Sequence, residues 1–158
     1  GEIGQWAQSM LAAPRRLTNS VSGSIGAALP FALAARMVDE SAPVIAIMGD
    51  GTVGFHLAEF ETAVREKLPL IVIVGNDSQW NAEVQLQVRA YGEDRVFGCD
   101  MLEAARYDRV MEAFGGFGAF VSSRDELASA LKSAIASGKP ACINVILDGR
   151  QAPVLRRS

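Results

Sequence analysis

Val44-Ile45-Ala46-Ile47-Met48-Gly49-Asp50-Gly51-Thr52 is the stretch that decides the fold of this 158-residue chain. Val44 to Met48 is a continuous apolar run of strand length, which predicts an interior parallel strand covered on both faces. It enters a turn carrying a carboxylate between two glycines. From Phe55 to Lys67, Leu57, Phe60, Ala63 and Val64 share one side while Glu59, Glu61, Arg65 and Glu66 lie elsewhere, which predicts an amphipathic crossover helix. Leu70 to Val74 is the next apolar strand, and Asn76-Asp77 follows it. Strand, helix, strand with short connections is a right-handed βαβ unit, and ligands of such sheets collect beyond the carboxyl ends of the strands. Asp50 and Asn76 both fall at that edge. A carboxylate and a carboxamide there can hold a small hard cation, and backbone N–H groups of the Gly-rich turn and helix start can receive phosphate oxygens. The pattern predicts a Mg-diphosphate site.

Upstream, Ile25, Ala28, Leu29, Leu33 and Met37 recur at helical spacing, so 22–37 reads as a buried helix that Pro30 kinks or breaks near its first turns. Between Ser78 and Ala104 no clean period survives, and the segment reads as partly helical and partly irregular. Asp108 to Phe114 reads as a short helix ended by Gly115-Gly116, and Ala119 to Ser122 as a short strand. Ser123 and Glu126 form a capping box, Leu127, Ala130, Leu131, Ala134 and Ile135 supply an apolar stripe, and Gly138 with Pro140 stops the helix. Ala141 to Leu147 is another buried strand, followed by a tail over 149–158. The expected class is α/β, a three-layer α/β/α sandwich on a mainly parallel sheet, with 1–158 as one domain.

Composition fits a soluble globular protein: 49% hydrophobic, 21% charged and a net charge of −3. That balance leaves no basic footprint for nucleic acid, and Arg15-Arg16 and Arg156-Arg157 read as solvated surface. No apolar run reaches the ~20 residues of a membrane span. With no signal peptide in view, the expected location is cytoplasmic. Cys99 and Cys142 lack ligand spacing and read as reduced structural thiols. The opening Gly1-Glu2-Ile3 predicts a fragment of a longer polypeptide.

Gly49-Asp50-Gly51-Thr52-Val53-Gly54 also satisfies the dinucleotide pattern GxGxxG, with Asp77 further on, so an NAD-binding Rossmann module has to be weighed. Asp50 argues against it. A carboxylate inside the turn that receives a pyrophosphate repels it by ~4 kcal/mol at ~4 Å and an intermediate dielectric, whereas a bridging cation reverses the sign.

On Gly49-Asp50-Gly51, the 24 residues that follow, and then Asn76, the chain resembles the thiamine-diphosphate-dependent enzymes. The segment Ser22-Gly23-Ser24-Ile25-Gly26-Ala27-Ala28-Leu29-Pro30 is similar to the one preceding this motif in acetolactate synthases and pyruvate decarboxylases, and 107–145 is similar to the end of their diphosphate-binding domain. The resemblance implies thiamine diphosphate and Mg²⁺ as cofactors. It makes Asp50, the Asn76 side chain and the Ser78 carbonyl the metal ligands, with Gly49, Gly51 and Thr52 around the diphosphate. It gives Gly23, Ser24 and Ile25 to the cofactor's rings: the Gly23 carbonyl accepts from the exocyclic amine and Ile25 wedges the cofactor into a bent shape. Gln79 and Trp80 belong to the same surroundings, and Trp80, Asn81 and Glu83 are candidates for substrate selection. One position departs from the family: Gly75 stands where the first Asn of its Asn pair is expected.

In that family the activating glutamate belongs to a pyrimidine-binding domain, of the same or a neighbouring subunit. The resemblance therefore implies no catalytic side chain within these 158 residues and no turnover by the chain alone. It implies acetolactate synthase-like decarboxylation and carboligation of 2-oxo acids. The run from Gly54-Phe55-His56 to Thr62 also resembles 2-hydroxyacyl-CoA lyases and oxalyl-CoA decarboxylases. A non-catalytic paralogue is the remaining alternative. His56 reads as a packing or capping residue rather than an acid/base. A homodimer or homotetramer is expected, docked through an apolar patch around Ile25 and Leu29.

Overall fold

The computed structural model describes residues 15–17 and 24–149. Among the described residues four strands, β1 (Ile45–Gly49), β2 (Ile71–Asn76), β3 (Phe117–Val121) and β4 (Ala141–Ile146), form one parallel sheet in the order β1-β2-β4-β3. Side chains alternate between its faces, so each strand feeds two cores. Ala46, Met48, Val72, Val74 and Cys142 meet helices α1 (Ala28–Val38), α3 (Glu59–Arg65) and α5 (Tyr107–Ala113) through Leu29, Leu33, Phe60, Ala63 and Met111. On the other face Ile71, Ile143, Ala141 and Val121 pack against Ala134, Leu127 and Leu131 of α6 (Arg124–Ser137). This is the three-layer α/β/α arrangement that the sequence predicts.

β1 departs from the expectation of a strand covered on both faces. Among the described residues it is an edge strand paired only with β2, and its burial alternates, Ile45 and Ile47 being 45% and 40% exposed. The reason is the reach of the second layer: α6 packs on β3 and β4, not over β1.

α1 begins at Ala28 rather than at 22, after Gly26 at φ +96°, and residues 18–23 lie outside the described set. Pro30 neither kinks nor breaks it. As the third helical residue it occupies the first turn, where a backbone N–H has no intrahelical acceptor to lose. Leu29 is buried in the core, so it forms no docking patch with Ile25; the last turn instead leaves Met37 and Val38 exposed.

The crossover expected as one helix over Phe55 to Lys67 is three pieces: α2 (Asp50–Val53), a 3-10 turn at Gly54–His56, and α3. Its apolar side is as read, Phe60 and Ala63 being buried with Leu57 and Val64 packed beside them. α6 keeps its capping box, Glu126 N–H donating to Ser123 Oγ (3.4 Å) and Ser123 N–H to Glu126 Oε2 (3.2 Å), and it ends at Gly138 with φ 62°. Within 78–104 the structure places an 11-residue helix, α4 (Asn81–Tyr91), none of whose residues is buried.

Candidate functional site

Pairing of Gly49 with Gly75 sets the register of β1 on β2, so Asp50 and Asn76 leave the sheet side by side at its carboxyl edge. Parallel neighbours are about 4.8 Å apart, within reach of a shared ion. Both side chains are buried, Asp50 3% and Asn76 1% exposed. Asp50 Oδ1 accepts from its neighbour's backbone N–H, Gly51, at 2.9 Å. Asp50 Oδ2 is buried and has no hydrogen-bond partner among the described residues. Burial pushes this carboxyl above the usual carboxylate range, with the Gly51 bond opposing and the charge of Asp77 adding to the rise. An orphaned, desolvated carboxylate oxygen at a sheet edge fits a divalent cation, which would supply both the missing partner and the missing charge.

Asn76 Oδ1 accepts from Ser78 N–H at 3.1 Å and lies 3.4 Å from the Ser78 hydroxyl. Ser78 holds a left-handed backbone, φ 58°, a conformation disfavoured for a side-chain-bearing residue that clusters at functional sites. Its carbonyl accepts from Met101 N–H (2.9 Å) and its hydroxyl from Ala104 N–H (2.9 Å), so Ser78 also ties down the loop ahead of α5. As a metal ligand the carbonyl would use its second lone pair. Gln79 pairs with Asp100 in an isolated antiparallel bridge. Together with Asn76, Ser78, Met101 and Leu147 it lines a cleft of about 460 Å³ at the strand ends.

Glycine at 51 is required by an approach: a Cβ there would stand 2.7 Å from Trp80 Cε3. The Trp80 indole, edge-on to Phe55 with ring centroids 6.1 Å apart, thus packs onto the backbone following Asp50. Thr52 is half-buried on the same turn. A Cβ on Gly26 would meet Phe55 Cβ at 2.8 Å, and His56 Nδ1 lies 3.1 Å from the Gly26 carbonyl. The start of α1, preceded by Ser24 and Ile25, is thereby held against the turn after α2. His56 has the packing role read from sequence. Gly23 lies outside the described residues. At Gly75, a Cβ would stand 2.9 Å from Leu147 Cδ1, which accounts for glycine where the family pair has its first Asn.

Four contributors escape the sequence reading. Asn144, fully buried on β4, donates to the Ala105 carbonyl at 2.8 Å, and Asn76 Nδ2 donates to that carbonyl at 2.9 Å and to Asn144 Oδ1 at 3.3 Å. Buried Asp108 takes a two-pronged bond from Arg106 (2.9 and 2.6 Å), whose guanidinium lies 4.4 Å from the Phe120 ring centroid. The Tyr107 hydroxyl is pushed up by burial and by the charge of Asp50. The signals were an Asn interrupting an apolar strand and an Arg-x-Asp pair at a helix start; neither has a periodic signature. Both cysteines are free and buried, and burial pushes the Cys142 thiol up.

The family described as thiamine pyrophosphate enzyme, C-terminal TPP binding domain, matches residues 1–145. The chain belongs to the thiamine pyrophosphate enzymes, as their C-terminal TPP-binding domain. It is 36% identical over 126 residues to an acetolactate synthase large subunit of Mycobacterium tuberculosis, covering 80% of this chain and 23% of the relative. It is 38% identical over 136 residues to a 2-hydroxyacyl-CoA lyase of Oryza sativa subsp. japonica, covering 84% and 24%. With an oxalyl-CoA decarboxylase of Escherichia coli the identity is 39% over 135 residues, covering 85% and 23%. Among solved structures, a thiamine diphosphate-dependent 4-hydroxybenzoylformate decarboxylase from Rhodococcus jostii superposes with a TM-score of 0.73 at 25% identity, over 80% of this chain and 24% of that one. The chain thus spans about a quarter of the length of the relatives it matches.

Proposed function

We propose that this chain is the diphosphate-binding domain of an acetolactate synthase-like enzyme that works on 2-oxo acids with Mg²⁺ and thiamine diphosphate. The orphaned Oδ2 of Asp50, beside the Asn76 carboxamide, carries the reading. Asp50, Asn76 Oδ1 and the Ser78 carbonyl would hold the cation. Gly49, Gly51 and Thr52 receive the diphosphate; Gly23, Ser24, Ile25, Gln79 and Trp80 border the rest of the cofactor. When bound, the cofactor supplies the carbanion chemistry on the substrate carbonyl. This chain's residues anchor the charged tail, orient it and keep water from the buried carboxylate. Activation falls to a glutamate on a pyrimidine-binding domain of the same or a neighbouring subunit, which makes the chain alone inactive and the working enzyme a homodimer or homotetramer in the cytoplasm.

A second reading keeps the site and changes the reaction: identities of 38% and 39% to the 2-hydroxyacyl-CoA lyase and the oxalyl-CoA decarboxylase match or exceed the 36% to the synthase. Carbon–carbon cleavage of an acyl-CoA compound is that alternative.

Calorimetric titration of thiamine diphosphate tests the site. Binding is expected with Mg²⁺, lost with EDTA and lost in Asp50→Ala; binding indifferent to metal, or NAD binding without it, overturns the proposal. Supplying a pyrimidine-binding domain and assaying pyruvate against a 2-hydroxyacyl-CoA then separates the two reactions.

A further inference from the structure

We propose that Asn144, on the central strand β4, is a positioning residue that fixes which way the Asn76 carboxamide faces. Its consequence for the cation rests on the Mg-diphosphate reading above; its geometry does not.

Asn144 sits in Ala-Cys-Ile-Asn-Val-Ile, wholly buried, on the sheet face that it shares with Val74 and Asn76. An apolar residue would fill that position without desolvating an amide, so packing alone gives no reason for Asn there. Hydrogen bonds give one. Ala105 O accepts from Asn144 Nδ2 at 2.8 Å and from Asn76 Nδ2 at 2.9 Å, and Asn144 Oδ1 accepts from Asn76 Nδ2 at 3.3 Å.

The carbonyl of Ala105 demands a donor from Asn144, which turns the Asn144 oxygen toward Asn76. Both N–H groups of Asn76 are then engaged, by Ala105 O and Asn144 Oδ1, and Asn76 Oδ1 is left facing Ser78 N–H on the side of Asp50. A flipped Asn76 amide would put oxygen against two acceptors and point two N–H donors at the cation. Ala105 itself is held by its neighbour Arg106, clamped to buried Asp108 and stacked on Phe120. Without the oxygen of Asn144, the Asn76 amide nitrogen keeps Ala105 O as its one acceptor, and Ser78 N–H alone holds the amide oxygen.

The test is NMR of the Asn76 side-chain amide together with Mn²⁺ binding read by electron paramagnetic resonance in the presence of thiamine diphosphate. In the unaltered protein both Asn76 amide protons should be protected from exchange. Asn144→Leu should expose at least one of them and weaken Mn²⁺ binding by about tenfold or more. Asn144→Ala makes the same comparison without added bulk. Protection and affinity unchanged in the Leu and Ala variants would overturn the proposal. If the unaltered protein holds no Mn²⁺ while Asn76 is protected and released by Asn144→Leu, the positioning role stands and the cation reading falls.

Discussion

Asp50 and Asn76 directly follow Gly49 and Gly75, the last residues paired between β1 and β2, so the strand register itself delivers a carboxylate and an amide to one point. The amide is fully hydrogen-bonded, whereas one oxygen of the carboxylate is buried without a partner among the described residues. Burial of that oxygen carries a cost at Asp50.

Asp50→Asn removes the charge from that buried position. The carboxyl ionises at 3.8 when unfolded and higher when folded, so the folded state holds the proton more tightly. Stability is lost as pH rises through the folded value, and the full penalty is present above it. Urea unfolding in EDTA near neutral pH should show Asp50→Asn more stable by about 1–3 kcal/mol. The gap should close as pH falls toward the unfolded value. With Mg²⁺ and thiamine diphosphate present the order should reverse, because only the unaltered protein gains binding energy.

Gly51→Ala should displace Trp80. The new methyl would stand 2.7 Å from Cε3 and from Cζ3, on a rigid ring that cannot fold away. A loss of about 1–3 kcal/mol and a shifted tryptophan fluorescence are expected, with most of the loss relieved in Gly51→Ala/Trp80→Leu. A destabilisation that adds fully across the pair would mean that the two do not touch.

Gly75→Asn, which restores the family's pair, should destabilise this chain rather than improve it. A Cβ at 75 meets Leu147 Cδ1 at 2.9 Å. That atom is the end of a flexible side chain, so the cost should stay near 1 kcal/mol and fall in Gly75→Asn/Leu147→Ala. Thermal unfolding of the four proteins of this cycle measures it.

The parallel sheet, α6 and the Asp50–Asn76 pair were legible because each writes a local signal: an apolar run, a capping box, two polar residues closing two strands. β1 was misjudged because its burial depends on how far α6 extends on the opposite layer, which Val44 to Met48 does not encode. α4 was legible only as partly helical structure within 78–104, because a helix with no buried residue has no apolar stripe to read. The Asn76–Asn144–Ala105 network joins residues 29, 68 and 39 positions apart, and only the folded chain brings them together.

Ser123→Ala should loosen α6. It removes the acceptor for Glu126 N–H and leaves Glu126 to hold Ser122 and Ser123 N–H alone. The expected loss is about 1 kcal/mol, measured by urea unfolding, with no change in cofactor binding because α6 packs on the sheet face away from Asp50.

Asp39 offers a check at the far end of α1. Its carboxylate accepts from the Ser41 hydroxyl (2.6 Å) and Ser41 N–H (2.8 Å) and pairs with Arg15, which together lower its pKa to about 2. A carboxyl held below its unfolded value of 3.8 contributes stability that is present above that value and lost as pH falls toward about 2. The group is exposed, so the contribution is small and screened by salt. Carbon-detected NMR titration should place the Asp39 midpoint near 2 in the unaltered protein. Ser41→Ala and Arg15→Ala should each move it back toward 3.8, the Ser41 hydroxyl being the largest single influence. A midpoint near 3.8 in all three would mean that the loop after α1 does not hold this turn in solution.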